Sequence, residues 1–345
     1  MSGQKTSKLS DPIKVGALEL KHRVVLAPLT RGRADASAVA APYASEYYSQ
    51  RATRIYSEEQ VQSWKCVTDA VHAKGGYIFC QLWALGRIAV SELVPAVYSP
   101  GSQPFFEEDA VSKEPPAKFT VMTESDIDRF VEHYRQAAFN TIEAGFDGIE
   151  LHGANGYLQS TSNDRKDSYG GSIENRIRFP LRVVNAVSEA IGPERVGVRM
   201  SPFTRFQGMR EVDPLELFFP WAQAIVNAQP SLAYIHAIEP RADGSVNTPE
   251  HLRKVEDTLA PIREVVTRAG VRLIVAGGYT PEKALEHTSE TDDLVAFGRH
   301  FIRKCFELRI KNGWLLTKYD RSVFYEVNEV GYIDYAVYNP EVAKA

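Results

Sequence analysis

The chain has 345 residues, 44% hydrophobic and 24% charged, enough for one large α/β barrel or two smaller domains. A net charge of −4 and the lack of any Lys/Arg run argue against nucleic acid as a standing partner. No apolar stretch approaches the ~20 residues of a membrane span, and the polar Met1 to Ser10 segment has no signal-peptide core. Cys66, Cys80 and Cys305 show neither disulfide nor metal spacing, so the expectation is a reduced, cytoplasmic protein without a metal site.

In chain order, Ile13 to Leu20, turning at Gly16, reads as a small hairpin. Short apolar strands then alternate with amphipathic helices. The strands are expected at 23–28, 77–82, 148–152, 196–200, 232–237, 272–276 and 294–297. A capping box at Ser57-Glu58-Glu59-Gln60 opens one helix, which stops at Gly75-Gly76. Thr123 caps the next, where Ile127, Phe130, Val131, Tyr134 and Ala138 recur at helical spacing. Further helices are expected at 173–191, 215–228, 249–269 and 281–287. The alternation points to a parallel sheet in a single domain, 1–345. The segment from Ala89 to Ala117 reads as a long loop, either a lid or a disordered excursion. Seven strands are counted, not eight. A helix over 43–52 runs almost directly into the helix at Ser57, and Thr53 to Tyr56 is too short for a strand with its loops.

Side chains on a strand alternate between faces. Ile149 and Leu151 share one face; Gly148, Glu150 and His152 share the other. The same alternation separates Val196, Val198 and Met200 from Gly197 and Arg199, and Ile78, Cys80 and Leu82 from Phe79 and Gln81. The second face of each strand carries a polar residue near its C-terminal end: Gln81, His152, Arg199. Polar groups gathered there mark the mouth of a barrel. His152-Gly153-Ala154-Asn155-Gly156-Tyr157 places an imidazole, a carboxamide and a phenol together, a set suited to holding a substrate carbonyl. The last two strands end at Gly277-Gly278 and at Gly298-Arg299, which suits a phosphate.

Ala27-Pro28-Leu29-Thr30-Arg31, Gln81-Leu82-Trp83, the run His152 to Leu158, Asn163-Asp164-Arg165 with the run Tyr169 to Arg176, the run Val196 to Pro202, and Phe297-Gly298-Arg299 together resemble the old yellow enzyme family of FMN-dependent ene-reductases. The resemblance covers almost the whole chain in order. It implies a (β/α)₈ TIM barrel, here lacking the second barrel strand. It implies FMN, with NADPH or NADH as reductant, and reduction of the C=C bond of a small-molecule enal or enone. Fungal-type motifs place it in secondary metabolism by analogy. A monomer or homodimer is expected, with neither membrane nor nucleic acid as partner.

By the same resemblance Pro28, Leu29 and Thr30 line the flavin, Gln81 bonds its pyrimidine edge, and Arg199 sets positive charge beside it. Gly277, Gly278, Gly298 and Arg299 hold the phosphate. His152 and Asn155 bind the carbonyl oxygen, Tyr157 is the proton donor, and Trp83 and Tyr325 line the substrate pocket. Competing roles are packing for Trp83 and Tyr325, and an ion pair with Glu150 for Arg199. The chain departs from the family pattern at Arg54-Ile55, where a strand and long loop are missing, after Leu158, and over 303–308. A redox-impaired relative that keeps the carbonyl site, as an isomerase or binding protein, is the alternative reading.

Overall fold

The computed structural model describes residues 6–31, 44, 57–89, 96–103, 118–153, 156–244, 246–302, 306–314, 316, 319–326 and 328–335. The hairpin is β1 (Ile13–Val15) and β2 (Leu18–Leu20), antiparallel. Its turn is at Gly16, φ +54°, where a Cβ would lie 2.0 Å from the Glu194 carbonyl oxygen. Only glycine allows both that backbone conformation and that approach. β3 (Val24–Leu26) precedes α1 (Glu58–His72) and β4 (Phe79–Leu82). The paired short strands β5 (Tyr98–Ser99) and β6 (Thr120–Val121) flank the Pro-rich loop before α2 (Glu124–Glu143). Alternation continues through β7 (Gly148–His152), α3 (Ile173–Ile191), β8 (Val196–Met200), α4 (Pro214–Ala228) and β9 (Tyr234–Ile238). A hairpin of β10 (Ala242–Asp243) and β11 (Val246–Asn247) leads to α5 (Ala260–Arg268), β12 (Arg272–Ala276), α6 (Pro281–Glu290), β13 (Leu294–Phe297) and α7 (Phe306–Lys311).

Seven of these strands form one parallel sheet in the order β3-β13-β12-β9-β8-β7-β4. This is the order of a (β/α)₈ barrel. Among the described residues the slot between β3 and β4 is unfilled, and of the chain that crosses it, 32–56, only Ala44 is described. The expected helix over 43–52 and the deletion at Arg54-Ile55 therefore lie outside the described residues.

The two faces of the sheet separate as the alternation predicts. Cys80, Leu82, Ile149, Leu151, Val196, Val198 and Met200 pack outward, under the helices, in the larger core. The inner core joins Tyr234, Ile274, Ala276, Leu294 and Ala296 to Ile13 and Val15 of the hairpin, which closes one end of the barrel. Burying each Val, Leu, Ile or Met side chain among these contributes roughly 1.5–3 kcal/mol. Both expected caps form: Ser57 and Gln60 exchange hydrogen bonds, and Thr123 does so with Asp126.

β7, β8, β12 and β13 begin and end where the sequence pattern puts them. The helix expected over 249–269 is a 3₁₀ turn at Glu250–Leu252 followed by the shorter α5. Pro261 is the reason. It has no N–H to donate back and cannot sit inside a longer helix. Among the described residues no helix is long and apolar enough to cross a membrane.

Candidate active site

The inner faces of β4, β7, β8 and β9 bring five polar side chains together: Gln81, Glu150, His152, Arg199 and His236. The strand register sets Gln81 beside Glu150, His152 beside Arg199, and Arg199 beside His236. At the centre lies Glu150, only 5% exposed. Gln81 Nε2 donates to one carboxylate oxygen at 2.7 Å and His236 Nδ1 to the other at 2.8 Å. Burial alone would raise the Glu150 pKa. His236, Arg199 and the Gln81 bond outweigh it and hold Glu150 ionised, below the usual carboxylate range. An ionised carboxylate only accepts, so the His236 proton sits on Nδ1. Burial, against the pull of Glu150, lowers the His236 pKa, so the imidazole is neutral. Its Nε2 is enclosed and has no partner.

Arg199 makes no ion pair with Glu150, the competing role weighed for it. Its Nε is enclosed without a hydrogen-bond partner, and so is Nδ1 of His152. Burial, then the Arg199 charge, pushes the His152 pKa down to about 3. At neutral pH this imidazole carries no charge and has one N–H to donate. Its ring lies flat against Trp83, centroids 4.7 Å apart and planes 18° from parallel. Trp83 thus stacks on the imidazole and also lines the pocket beside it.

Tyr157 packs on Phe179 of α3 at 4.6 Å between centroids, against the outer core. Its hydroxyl is enclosed and unpartnered, and burial raises its pKa well above the ordinary phenol value. His152, Trp83 and Tyr157 all line one cavity of about 340 Å³. Asn155 lies outside the described residues. Tyr325 is 60% exposed and does not line that cavity.

Pro28, Leu29 and the exposed Thr30 follow the end of β3. Leu29 abuts Gly298, where a Cβ would lie 3.1 Å from its Cδ2. Gly277, φ +112°, ends β12, and a Cβ there would press on the backbone and Cβ of Glu239 at 3.1–3.2 Å. Arg299 donates to Asn247 Oδ1 of β11, and that oxygen also overlooks Gly278. Arg299, beside the glycine end of β13, thus reaches the Asn247 side chain that borders the glycine end of β12. Arg31 is buried and ties the end of the first strand to the C-terminal segment. It donates to the Phe324 and Gly331 carbonyl oxygens and lies over the Phe324 and Tyr332 rings.

The residues present fit FMN. Its phosphate suits the Gly277, Gly278, Gly298 and Arg299 end. Its ring gains negative charge on reduction, and the unpartnered guanidinium of Arg199 is a cation with an unused donor. Sequence reasoning missed His236 and Asn247. The alternation that found Arg199 also turns Tyr234 and His236 inward, so His236 was within reach of it. Asn247 sits on a hairpin with no periodic signal.

The sequence profile of the NADH:flavin oxidoreductase / NADH oxidase family matches residues 8–54 and 52–314. The two pieces meet where the pattern places the missing strand. The NADP-dependent oxidoreductase lnbE of Aspergillus flavus is 40% identical, over 95% of this chain and 96% of its own. That alignment runs over 373 positions, more than this whole chain, so the relative carries segments that this chain lacks. Chanoclavine-I aldehyde reductase fgaOx3 of Penicillium roqueforti is 38% identical over 98% of both chains. Among solved structures, the old yellow enzyme homologue of Zymomonas mobilis superposes with a TM-score of 0.85 at 32% identity, covering 96% of this chain and 100% of that one. Morphinone reductase gives 0.83 at 35% identity, covering 97% of each. The chain belongs to the NADH:flavin oxidoreductase / NADH oxidase family, the old yellow enzyme group of FMN-dependent oxidoreductases.

Proposed function

We propose that the chain is an ene-reductase: an α,β-unsaturated aldehyde or ketone, NAD(P)H and a proton give the saturated carbonyl compound and NAD(P)⁺. The observation that carries this reading is the pair of enclosed, unpartnered polar groups, His152 and Arg199, side by side on β7 and β8. FMN, held by Arg199 and by the Gly277, Gly278, Gly298 and Arg299 end, would supply the two-electron hydride chemistry between the nicotinamide and the substrate β-carbon. His152, neutral at working pH, donates one hydrogen bond to the substrate oxygen, and Asn155 supplies a second. Those bonds draw electron density from the β-carbon and stabilise the enolate that hydride addition creates. Tyr157, fully protonated at neutral pH, gives its proton to the α-carbon and is reprotonated from water. Arg199 offsets the negative charge of the reduced ring. Chanoclavine-I aldehyde reductase and 12-oxophytodienoate reductase 1 of Oryza sativa, 38% identical, support a carbonyl compound as substrate. The fungal relatives favour a role in secondary metabolism.

The test is spectroscopic and chemical. The purified protein, soaked in FMN and desalted, should be yellow and should bleach anaerobically with NADPH or NADH. An added enal should restore the colour, and NMR should find the C=C bond reduced with the aldehyde intact. A protein that stays colourless, or a product that is an alcohol, refutes the proposal.

A further inference from the structure

The cavity at His152 extends beyond what a carbonyl head requires. Leu151 and Val198, which face outward on β7 and β8, line it together with Phe179 and Val183 of α3. It therefore reaches behind the barrel wall, into the layer between sheet and helices, away from the inner face that holds Gln81, Glu150 and Arg199. Its 340 Å³ lies within the range of small-molecule pockets and would hold on the order of ten waters.

Of its polar lining groups, Arg87, Tyr134 and Ser162 are already hydrogen-bonded, and three others are not. Besides His152 Nδ1, the Trp221 indole Nε1 and the Tyr157 hydroxyl belong to lining residues, are enclosed, and have no hydrogen-bond partner. Trp221, on α4, is 1% exposed. Its Nε1 lies beside Gly153, 3.9 Å from where a Cβ would sit, and so close to the end of β7 that carries His152. An indole N–H only donates, and a phenol in this setting keeps its proton. Two unsatisfied donors in an apolar wall are costly unless an acceptor meets them.

We infer that the space between β7, β8 and α3 is a tail site, and that the substrate is an elongated apolar enal or enone bearing a second oxygen far from its carbonyl. The carbonyl stays at His152 with Tyr157 beside its α-carbon, the hydrocarbon body lies between the strands and α3, and the distal oxygen accepts from Trp221 Nε1. The identity of the head group rests on the ene-reductase reading. The tail site rests on the cavity alone.

Three aldehydes test it on the FMN-loaded enzyme: acrolein, geranial, and 8-hydroxygeranial, the ten-carbon enal with a terminal hydroxyl. The KM should fall about tenfold or more from acrolein to geranial, and further to 8-hydroxygeranial. Val183→Phe, which fills the cavity, should shrink the advantage of both long enals over acrolein at least tenfold. Trp221→Phe keeps the shape and removes the donor, so it should abolish only the advantage of 8-hydroxygeranial over geranial. It also serves if Val183→Phe fails to fold. Long enals that bind no better than acrolein, or variants that leave all three ratios unchanged, overturn the tail site. If no aldehyde is reduced, the reductase reading fails by itself. Geraniol titrated against the intrinsic tryptophan fluorescence, to which Trp83 and Trp221 contribute from the cavity wall, then decides the cavity. Saturable quenching that Val183→Phe weakens supports the site, and its absence overturns it.

Discussion

Replacing His152 with Gln tests the enclosure of the carbonyl-binding imidazole. Its pKa is about 3 in the folded chain, against an ordinary 6.5. Between these values the unfolded chain holds the proton and the folded one does not, so stability must rise with pH. The contribution is complete above about 6.5 and is lost as pH falls toward the folded value. At pH 5 the unfolded imidazole lies about 1.5 pH units below its pKa, while the folded one is still neutral. At 1.36 kcal/mol per pH unit the loss at pH 5 is ~2 kcal/mol. The Gln variant has no such proton to bind. Urea unfolding at pH 7 and pH 5, on protein stripped of flavin so that ligand binding adds nothing, should show wild type losing about 2 kcal/mol more than His152→Gln. Equal losses would mean that the imidazole titrates as it does in water, and the enclosed, neutral donor would have to be abandoned.

Other outcomes follow from the same geometry. Tyr157→Phe should slow reoxidation of the reduced enzyme by an enal at least a hundredfold and leave reduction by NADPH unchanged in stopped-flow; equal slowing of both steps would remove the proton-donor role. Gly277→Val forces a β-branched residue to φ +112° against Glu239, so FMN should bind about tenfold or more weakly in fluorescence titration. Arg199→Met should lower the flavin midpoint potential by roughly 40–60 mV, the equivalent of about 2–3 kcal/mol; an unchanged potential would place the guanidinium away from the ring.

Much of the barrel was legible because side-chain alternation and burial are local. Val196, Val198 and Met200 against Gly197 and Arg199 identify both the strand and its inner face with no tertiary information. The same rule delivers Gln81 and His152. It fails where the outcome depends on a distant residue. That Arg199 lacks a partner is invisible in its own strand, because the groups that occupy Glu150 stand on β4 and β9. Tyr157 shows the other limit. It stands five residues beyond His152 on a turn with no periodic pattern, and its ring packs on Phe179 of α3 and lines the same cavity from the outer core. Chain proximity fixed its neighbourhood and packing fixed its direction.

The network around Glu150 explains why Arg199 keeps a free donor. A guanidinium and a carboxylate on adjacent inward positions attract strongly in a medium of low dielectric, and direct pairing is the expected end. Here neutral donors occupy both carboxylate oxygens first: Gln81 takes one and His236 the other. Glu150 still balances the charge of Arg199 but does not consume its hydrogen bonds, so the cation remains available to an anionic ring. His236→Leu would leave one oxygen of Glu150 open and let Arg199 turn onto it. FMN should then bind at least tenfold more weakly and be harder to reduce, although His236 itself has no assigned contact with the flavin. His236→Gln, which can still donate, should restore most of both properties. If Leu and Gln behave alike, His236 is packing, and the availability of Arg199 has another cause.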